Sequence, residues 1–203
     1  METDLAASGA GSATEPSTAS SEASRPSLLG VGVVVWLSSE LMFFAGLFAA
    51  YFTLRAASDV WPAPGVDLAV FRTALATLVL IASSGTMHLG VQRAERGDRE
   101  GAVRWLVVTA GLGLVFIANQ AYEYATATFH VDSDAYGSIF YLLTGFHGIH
   151  VVGGIIFMLV VAAVIGGDSS RAPAGSITTV CGYYWHFVDV VWIAVYLTVY
   201  VLK

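Results

Sequence analysis

Three carboxylic acids and three histidines lie inside long apolar runs of this sequence, where ionisable groups are rare. They are Glu40, Glu123, Asp189, His147, His150 and His186. An ionisable side chain at the centre of a bilayer costs about 2.5–3.5 kcal/mol on insertion scales, so it faces the bundle interior, a partner subunit or a water path. These six residues are therefore the candidate functional residues of the chain.

Their spacing places most of them at one depth. His147 and His150 are three residues apart, as are His186 and Asp189, which predicts that each pair shares one helix face. A rise of about 1.5 Å per residue puts both pairs and Glu40 near the middle of their apolar runs. The sequence thus predicts a polar layer inside a membrane.

The two glutamates differ in their surroundings. Glu40 has no basic residue near it in its own run, where Ser38 and Ser39 are its polar neighbours. We therefore expect its carboxyl group to be protonated or to pair with another chain. Glu123 lies nearer the end of its run, beside Gln120 and Tyr124.

Three kinds of chemistry suit these residue types. Imidazoles on facing helices can bind haem iron, and a His-x-x-His pair with carboxylates can bind a metal ion. A carboxyl group in an apolar setting favours its neutral form and can exchange a proton. The same groups can hydrogen-bond one another and fix helix register. The residues alone favour this structural role for the histidines and leave Glu40 open between structure and proton exchange.

Composition defines the class of protein. Of the 203 residues, 56% are hydrophobic and 12% are charged, against about 25% charged in soluble domains, and the mean hydropathy is +0.71. The apolar runs are too long and uniform for a β-barrel, which favours an all-α, polytopic helical bundle. No basic patch exceeds one loop, so nucleic-acid binding is not expected. The single cysteine, Cys181, excludes an internal disulfide.

The chain divides into a tail and one transmembrane domain. Residues 1–26 are rich in Ala, Ser, Thr, Gly and Glu and cannot order themselves alone. Residues 27–203 form the transmembrane domain, in which the apolar runs predict five helices. We place these at about Leu28–Leu54, Leu68–Val91, Ala102–Phe129, Gly137–Ile165 and Thr178–Leu202.

Basic residues predict the orientation. Arg93, Arg96, Arg99 and Arg104 crowd the second connection, which the positive-inside rule assigns to the cytoplasm. The N-terminus is then cytoplasmic and the C-terminus outside. On this topology six of the nine basic residues lie inside.

Four segments together resemble subunit III of the haem-copper oxidases, most closely the cytochrome c oxidase subunit III family. The resemblance covers the chain from about Val31 onward, and its order on separate helices makes it specific. The segments are Trp36–Phe44 (WLSSELMFF, continuing to Tyr51), Gln120–Tyr124 (QAYEY), Tyr136–Gly153 (YGSIFYLLTGFHGIHVVG) and Tyr184–Trp192 (YWHFVDVVW).

The resemblance implies an integral subunit of a terminal respiratory oxidase. Such a complex passes electrons from cytochrome c to dioxygen, makes water and pumps protons. Haem and copper belong to subunits I and II, so no cofactor, metal or catalytic residue is expected in this chain, which overrides the haem and metal interpretations of His147 and His150. Expected partners are subunits I and II, bound phospholipids and a larger respiratory supercomplex.

The resemblance also implies roles for individual residues. Glu40 matches the family's membrane glutamate known for carbodiimide reactivity, which makes it the proton-support candidate. The other five candidate residues match the family's buried polar network, and replacing His147 or His186 by Leu is expected to leave buried partners unpaired and impair assembly. Longer members have seven spans, whereas this chain begins at the equivalent of the third, so one wall of the family's lipid cleft is missing. The five-span form indicates a bacterial plasma membrane protein.

Other functions remain open at this point. A quinol oxidase has a similar subunit III, because other subunits choose the electron donor, and a related protein accompanies nitric oxide reductases. From other classes come a haem-binding membrane cytochrome and a small transporter. A transporter more often shows internal repeats and broken helices, which this sequence lacks.

Overall fold

The computed structural model describes residues 28–62, 65–66, 68–167 and 173–202, and the regular elements in these ranges are helices. All five long helices have the length and composition needed to cross a membrane, which confirms the predicted all-α transmembrane fold. The tail expected over residues 1–26 lies outside the described residues. The helices are α1 (Leu28–Ala56), α2 (Val70–Glu95), α3 (Arg99–Thr126), α4 (Ala135–Gly166) and α5 (Ala174–Tyr196), and α5 continues into a π-helical turn, Leu197–Val201.

The helix ends differ from the predicted spans by a few residues, for local reasons. Helix α3 begins three residues earlier than predicted because Asp98 caps it, with its carboxylate accepting a hydrogen bond from the Gly101 backbone N–H at 2.9 Å. Asp134 caps α4 in the same way, 2.7 Å from the Gly137 nitrogen. Between α2 and α3 the chain turns through Gly97, whose φ of 80° favours glycine.

The Asp98 cap is also an electrostatic feature of the α2–α3 connection. Its hydrogen bond from the Gly101 backbone, and then its hydrogen bond from Arg93, hold the pKa of Asp98 below its ordinary value of 3.8. Because the folded state lowers this pKa, the cap's contribution to stability is complete above that ordinary value. It is lost as the pH falls through the lower pKa of the folded state.

Four helices form a ring and the fifth lies outside it. Helix α2 packs against α3 and α5, and α4 closes the ring by packing against the same two helices. Helix α1 packs mainly against α4 and less against α5. Many of its large apolar side chains are exposed, among them Val35, Trp36, Leu41 and Met42.

Two tryptophans of α5 fill the centre of the ring. Trp185 and Trp192 are fully buried, and their indole N–H groups donate to Ser83 and Thr77 of α2, each at 2.9 Å. The Trp185 ring lies against Gly113 of α3 and Gly154 of α4, where an added Cβ atom would come within 2.8 Å of the ring. These glycines therefore let α3 and α4 approach the indole of α5 closely.

The orientation predicted from the arginines can be tested with single cysteines. We expect Arg96→Cys, in the α2–α3 connection, to react with a membrane-impermeant maleimide in inside-out vesicles and not in intact cells. Asp132→Cys, in the exposed α3–α4 connection, serves as the control and should show the reverse pattern. Cys181 is 1% exposed and should stay unlabelled in both. Labelling of Arg96→Cys in intact cells would show that the topology is the opposite of the predicted one.

Candidate functional site

The structure divides the six candidate residues among four places in the bundle. Glu40 meets His150 between α1 and α4, and His147 lies in the core. His186 and Asp189 meet α2, and Glu123 meets α2 and the π-helical turn. The predicted polar layer is therefore a set of separate contacts between helices.

Glu40 and His150 form a hydrogen-bonded acid–base pair. The Glu40 Oε2 atom lies 3.1 Å from the His150 Nε2 atom, and the His150 Nδ1 atom lies 2.7 Å from the Phe146 carbonyl oxygen. A carbonyl only accepts, so Nδ1 carries a hydrogen and the Glu40–His150 bond contains one proton. That proton resides on the carboxyl group or on Nε2, and the pair is neutral overall in both arrangements.

The pair lies at the edge of the chain rather than in its core. The side chains of Glu40 and His150 are 25% and 15% exposed. The ring of Phe44 packs edge-on against the His150 ring, and the Tyr184 hydroxyl donates to the His150 carbonyl oxygen at 3.0 Å. The sequence suggested a protonated Glu40 or a partner on another chain, whereas the structure supplies the partner from α4 of the same chain.

His147 has a different environment from His150. It is 1% exposed, and neither ring nitrogen has a hydrogen-bond partner among the described residues. Its ring packs between Phe116 of α3 and Trp192 of α5, with centroid distances of 5.9 and 4.8 Å. Burial without a partner favours the neutral imidazole.

The two histidines of the His-x-x-His pair therefore do not converge on one point. The three-residue spacing places them about 60° apart on α4, as neighbours on one side of the helix, but His147 packs against α3 and α5 whereas His150 bonds α1. Within the described ranges, no group of three or more His, Cys, Asp or Glu side chains could hold a metal ion. The expectation that His147 leaves a buried partner unpaired when replaced is wrong, since it has none among these residues.

His186 and Asp189 do share one face, as predicted, and the residue that joins them is Ser84 of α2. The Ser84 hydroxyl donates to the Asp189 Oδ2 atom and lies 2.9 Å from the His186 Nδ1 atom. Asp189 is 5% exposed. Sequence reasoning missed Ser84, although the cluster Ser83, Ser84 and Thr86 in an apolar run is a signal for such contacts.

Glu123 links α3 to two other elements. Its Oε2 atom accepts hydrogen bonds from Tyr200 at 2.9 Å and from Thr73 at 3.3 Å, and the residue is 4% exposed. Arg72 and Glu123 line the same cavity of about 260 Å³, which adds a positive charge beside the carboxyl group. Tyr124, its neighbour in sequence, instead pairs with Thr144 of α4 at 2.7 Å.

His147 and Ser84 should respond differently to substitution. We expect His147→Leu to leave the melting temperature of the purified protein unchanged or higher, because no described partner loses a hydrogen bond. Ser84→Ala should lower the stability by about 1–3 kcal/mol, because His186 and Asp189 lose their shared partner. Thermal unfolding in mild detergent measures both effects.

Ser39→Ala is the matched control for these two variants, because the Ser39 hydroxyl is exposed and donates to the Trp36 carbonyl oxygen in its own helix. It should melt like the unmodified protein. If His147→Leu destabilised the protein as much as Ser84→Ala, the conclusion that His147 contributes by packing and not by hydrogen bonding would be refuted.

The chain matches a known protein family over most of its length. Residues 19–203 match the family model for cytochrome c oxidase subunit III. The chain is similar to a probable cytochrome c oxidase subunit 3 of Mycobacterium tuberculosis, with 49% identity over 183 residues that cover 88% of this chain and 90% of the relative. It is also similar to cytochrome c oxidase subunit 3 of Corynebacterium diphtheriae, with 43% identity over 88% of this chain and 90% of the relative. The corresponding protein of a Synechocystis species is 36% identical over 100% of this chain and 88% of the relative.

Proposed function

The chain belongs to the cytochrome c oxidase subunit III family, and from this premise we propose that it is the non-redox integral subunit of a bacterial cytochrome c oxidase. It lies in the plasma membrane beside subunits I and II, which carry the haem and copper. The complex transfers electrons from cytochrome c to dioxygen and pumps protons. This chain supports the assembly, proton uptake and durability of subunit I, and it supplies no catalytic residue.

The Glu40–His150 pair is the observation that carries the proton-support role. Its hydrogen bond joins a carboxyl group to an imidazole, and its partial exposure leaves it open to the surroundings of the chain. An acid–base pair of this kind can therefore buffer protons for a neighbouring uptake path.

The remaining polar residues support assembly by holding the helices in register. Glu123 ties α3 to α2 and to the π-helical turn, and His186 and Asp189 tie α5 to α2 through Ser84. His147 contributes by packing. A bundle fixed at these points presents a constant surface to subunit I.

Bound phospholipid fits an apolar groove between α3 and α4. The groove has a volume of about 320 Å³ and opens between Ile117 and Ala121 of α3 and the small residues Gly145 and Gly148 of α4. Its lining is apolar, which suits an acyl chain. This groove lies on the four-helix ring and needs no additional transmembrane pair.

Isolation of the intact complex tests the proposed function. We expect this chain, tagged and extracted from its native membrane in mild detergent, to bring with it a large subunit that contains haem and copper. Its reduced-minus-oxidised spectrum and metal content identify that subunit. Recovery of the chain without a haem-copper partner, or with haem bound to the isolated chain itself, would overturn the proposal.

Glu40→Gln tests the proton-support role within that complex. The amide that this change introduces can still donate to the Nε2 atom of His150, so assembly and haem content should match those of the unmodified oxidase. Because an amide does not exchange a proton in this way, proton uptake should slow and activity should decay faster during turnover. Stopped-flow proton uptake and continuous oxygen consumption measure these changes.

The matched control is Glu100→Gln, since Glu100 is an exposed acid that pairs with Arg104 at the start of α3. It should leave uptake and durability unaltered. Equal proton uptake and equal turnover lifetime in Glu40→Gln and the unmodified enzyme would reduce the pair to a packing contact.

A further inference from the structure

A line of polar side chains runs along the junction of α2 and α5. We call it the polar seam and define it by Ser84, His88 and Gln92 of α2 and His186 and Asp189 of α5. The α2 members recur every four residues, which aligns them along about 12 Å of one helix face. Gln92 lies 2.9 Å from His88, and Ser84 bonds both α5 residues.

The polar seam faces out of this chain. His88 is exposed, and Ser84, Gln92 and His186 are partly buried. His88 lies seven residues from the end of α2, about 10 Å inside the span. Elsewhere the outward faces of the ring carry apolar side chains at comparable depth, such as Val107 and Ile156.

Lipid is a poor cover for such a surface. Ionisable side chains within transmembrane segments face a bundle interior, a partner or a water-filled cavity, because hydrocarbon leaves their hydrogen bonds unmade. Asp189 is the buried member of the polar seam, with 5% exposure, and its Oδ1 atom accepts no hydrogen bond within the described part of the chain. The polar seam is therefore incomplete without a neighbour that brings hydrogen-bonding groups.

The surface also leaves room for a helix. Gly85 lies three residues before His88, on the same side of α2, and an added Cβ atom there would meet nothing within 4 Å. A missing side chain at this point lets another backbone approach α2 closely. Hydrogen-bonding groups beside a recess of this kind suit a transmembrane helix better than a flexible acyl chain.

We propose that the polar seam is the docking face for a transmembrane helix of a neighbouring oxidase subunit, which presents hydrogen-bonding side chains to His88 and His186. This inference rests on the proposed function, since it requires an oxidase partner. It assigns the contact to the α2–α5 junction rather than to the apolar outer faces of α3 and α4.

Site-specific photocrosslinking in the native oxidase tests the docking face. We expect p-benzoylphenylalanine at position 85 to form an adduct with another oxidase subunit. The control is position 111, because Gly111 lies on the outward face of α3 and also has nothing within 4 Å; it should form no protein adduct. Adducts at position 85 with lipid alone, or with a second copy of this chain, would overturn the assignment.

A steric block gives an independent measurement. Gly85→Phe should reduce the amount of this chain retained per haem by about tenfold, the change that corresponds to 1.4 kcal/mol of binding free energy. Gly111→Phe should be retained fully. Immunoblots of the membranes verify that both variants insert, and if Gly85→Phe fails to insert, the crosslinking result decides alone. Full retention of an inserted Gly85→Phe would refute the docking face.

These outcomes are separable from failure of the proposed function. If the unmodified chain brings no haem-copper subunit with it, the proposed function fails before any variant is compared. If the unmodified chain does so, the position-85 results bear on the docking face alone.

Discussion

The hydrogen bonds that polar side chains form between helices cannot be replaced by contacts with lipid, and this constraint determines how the bundle fits together. Hydrocarbon offers no replacement for a lost partner. Accordingly, each adjacent pair of helices in the ring shares at least one hydrogen bond. The pairs are Thr86–Thr109 for α2 and α3, Tyr124–Thr144 for α3 and α4, Tyr184 with the His150 carbonyl for α4 and α5, and Trp192–Thr77 for α5 and α2. Such contacts fix rotation and register, which apolar packing alone leaves loosely specified.

Helix α2 is central to this arrangement because its hydroxyl groups form hydrogen bonds with side chains of neighbouring helices. Ser83 and Thr77 accept from the two buried tryptophans of α5, and Ser84 engages both the acid and the imidazole at the same α2–α5 junction. Small side chains allow the helices to come this close, and the glycines against Trp185 extend the same principle to α3 and α4. The interior thus combines large aromatic side chains with short hydrogen bonds between helices.

The sequence predicted the five helices, because long apolar runs are local signals. Of the residues predicted to be buried, Glu123, His147 and Asp189 are buried, whereas the burial predicted for His150 and His186 is wrong, since both are partly exposed. The pairing of these residues was not predictable, since Glu40 and His150 are separated by 110 positions and no local pattern joins them. Tyr200 escaped notice because an isolated hydroxyl group is inexpensive in a membrane helix, whereas Ser84 belongs to a polar cluster with Ser83 and Thr86 that could have been recognised. For His147 and His150 the spacing gave neighbouring positions about 60° apart on α4, but it did not show that one lies in the core and the other at the edge.

Helix α1 connects this architecture to function. It lies outside the ring, and two polar contacts among the described residues join it to other helices: the Glu40–His150 bond near its middle and, toward its end, the bond from the Tyr51 hydroxyl to the Thr198 carbonyl oxygen at 3.1 Å. The bond that is proposed to carry an exchangeable proton therefore also anchors a peripheral helix. The proposed proton exchange and the packing of α1 thus depend on one interaction, whereas the polar contacts within the ring join other helices.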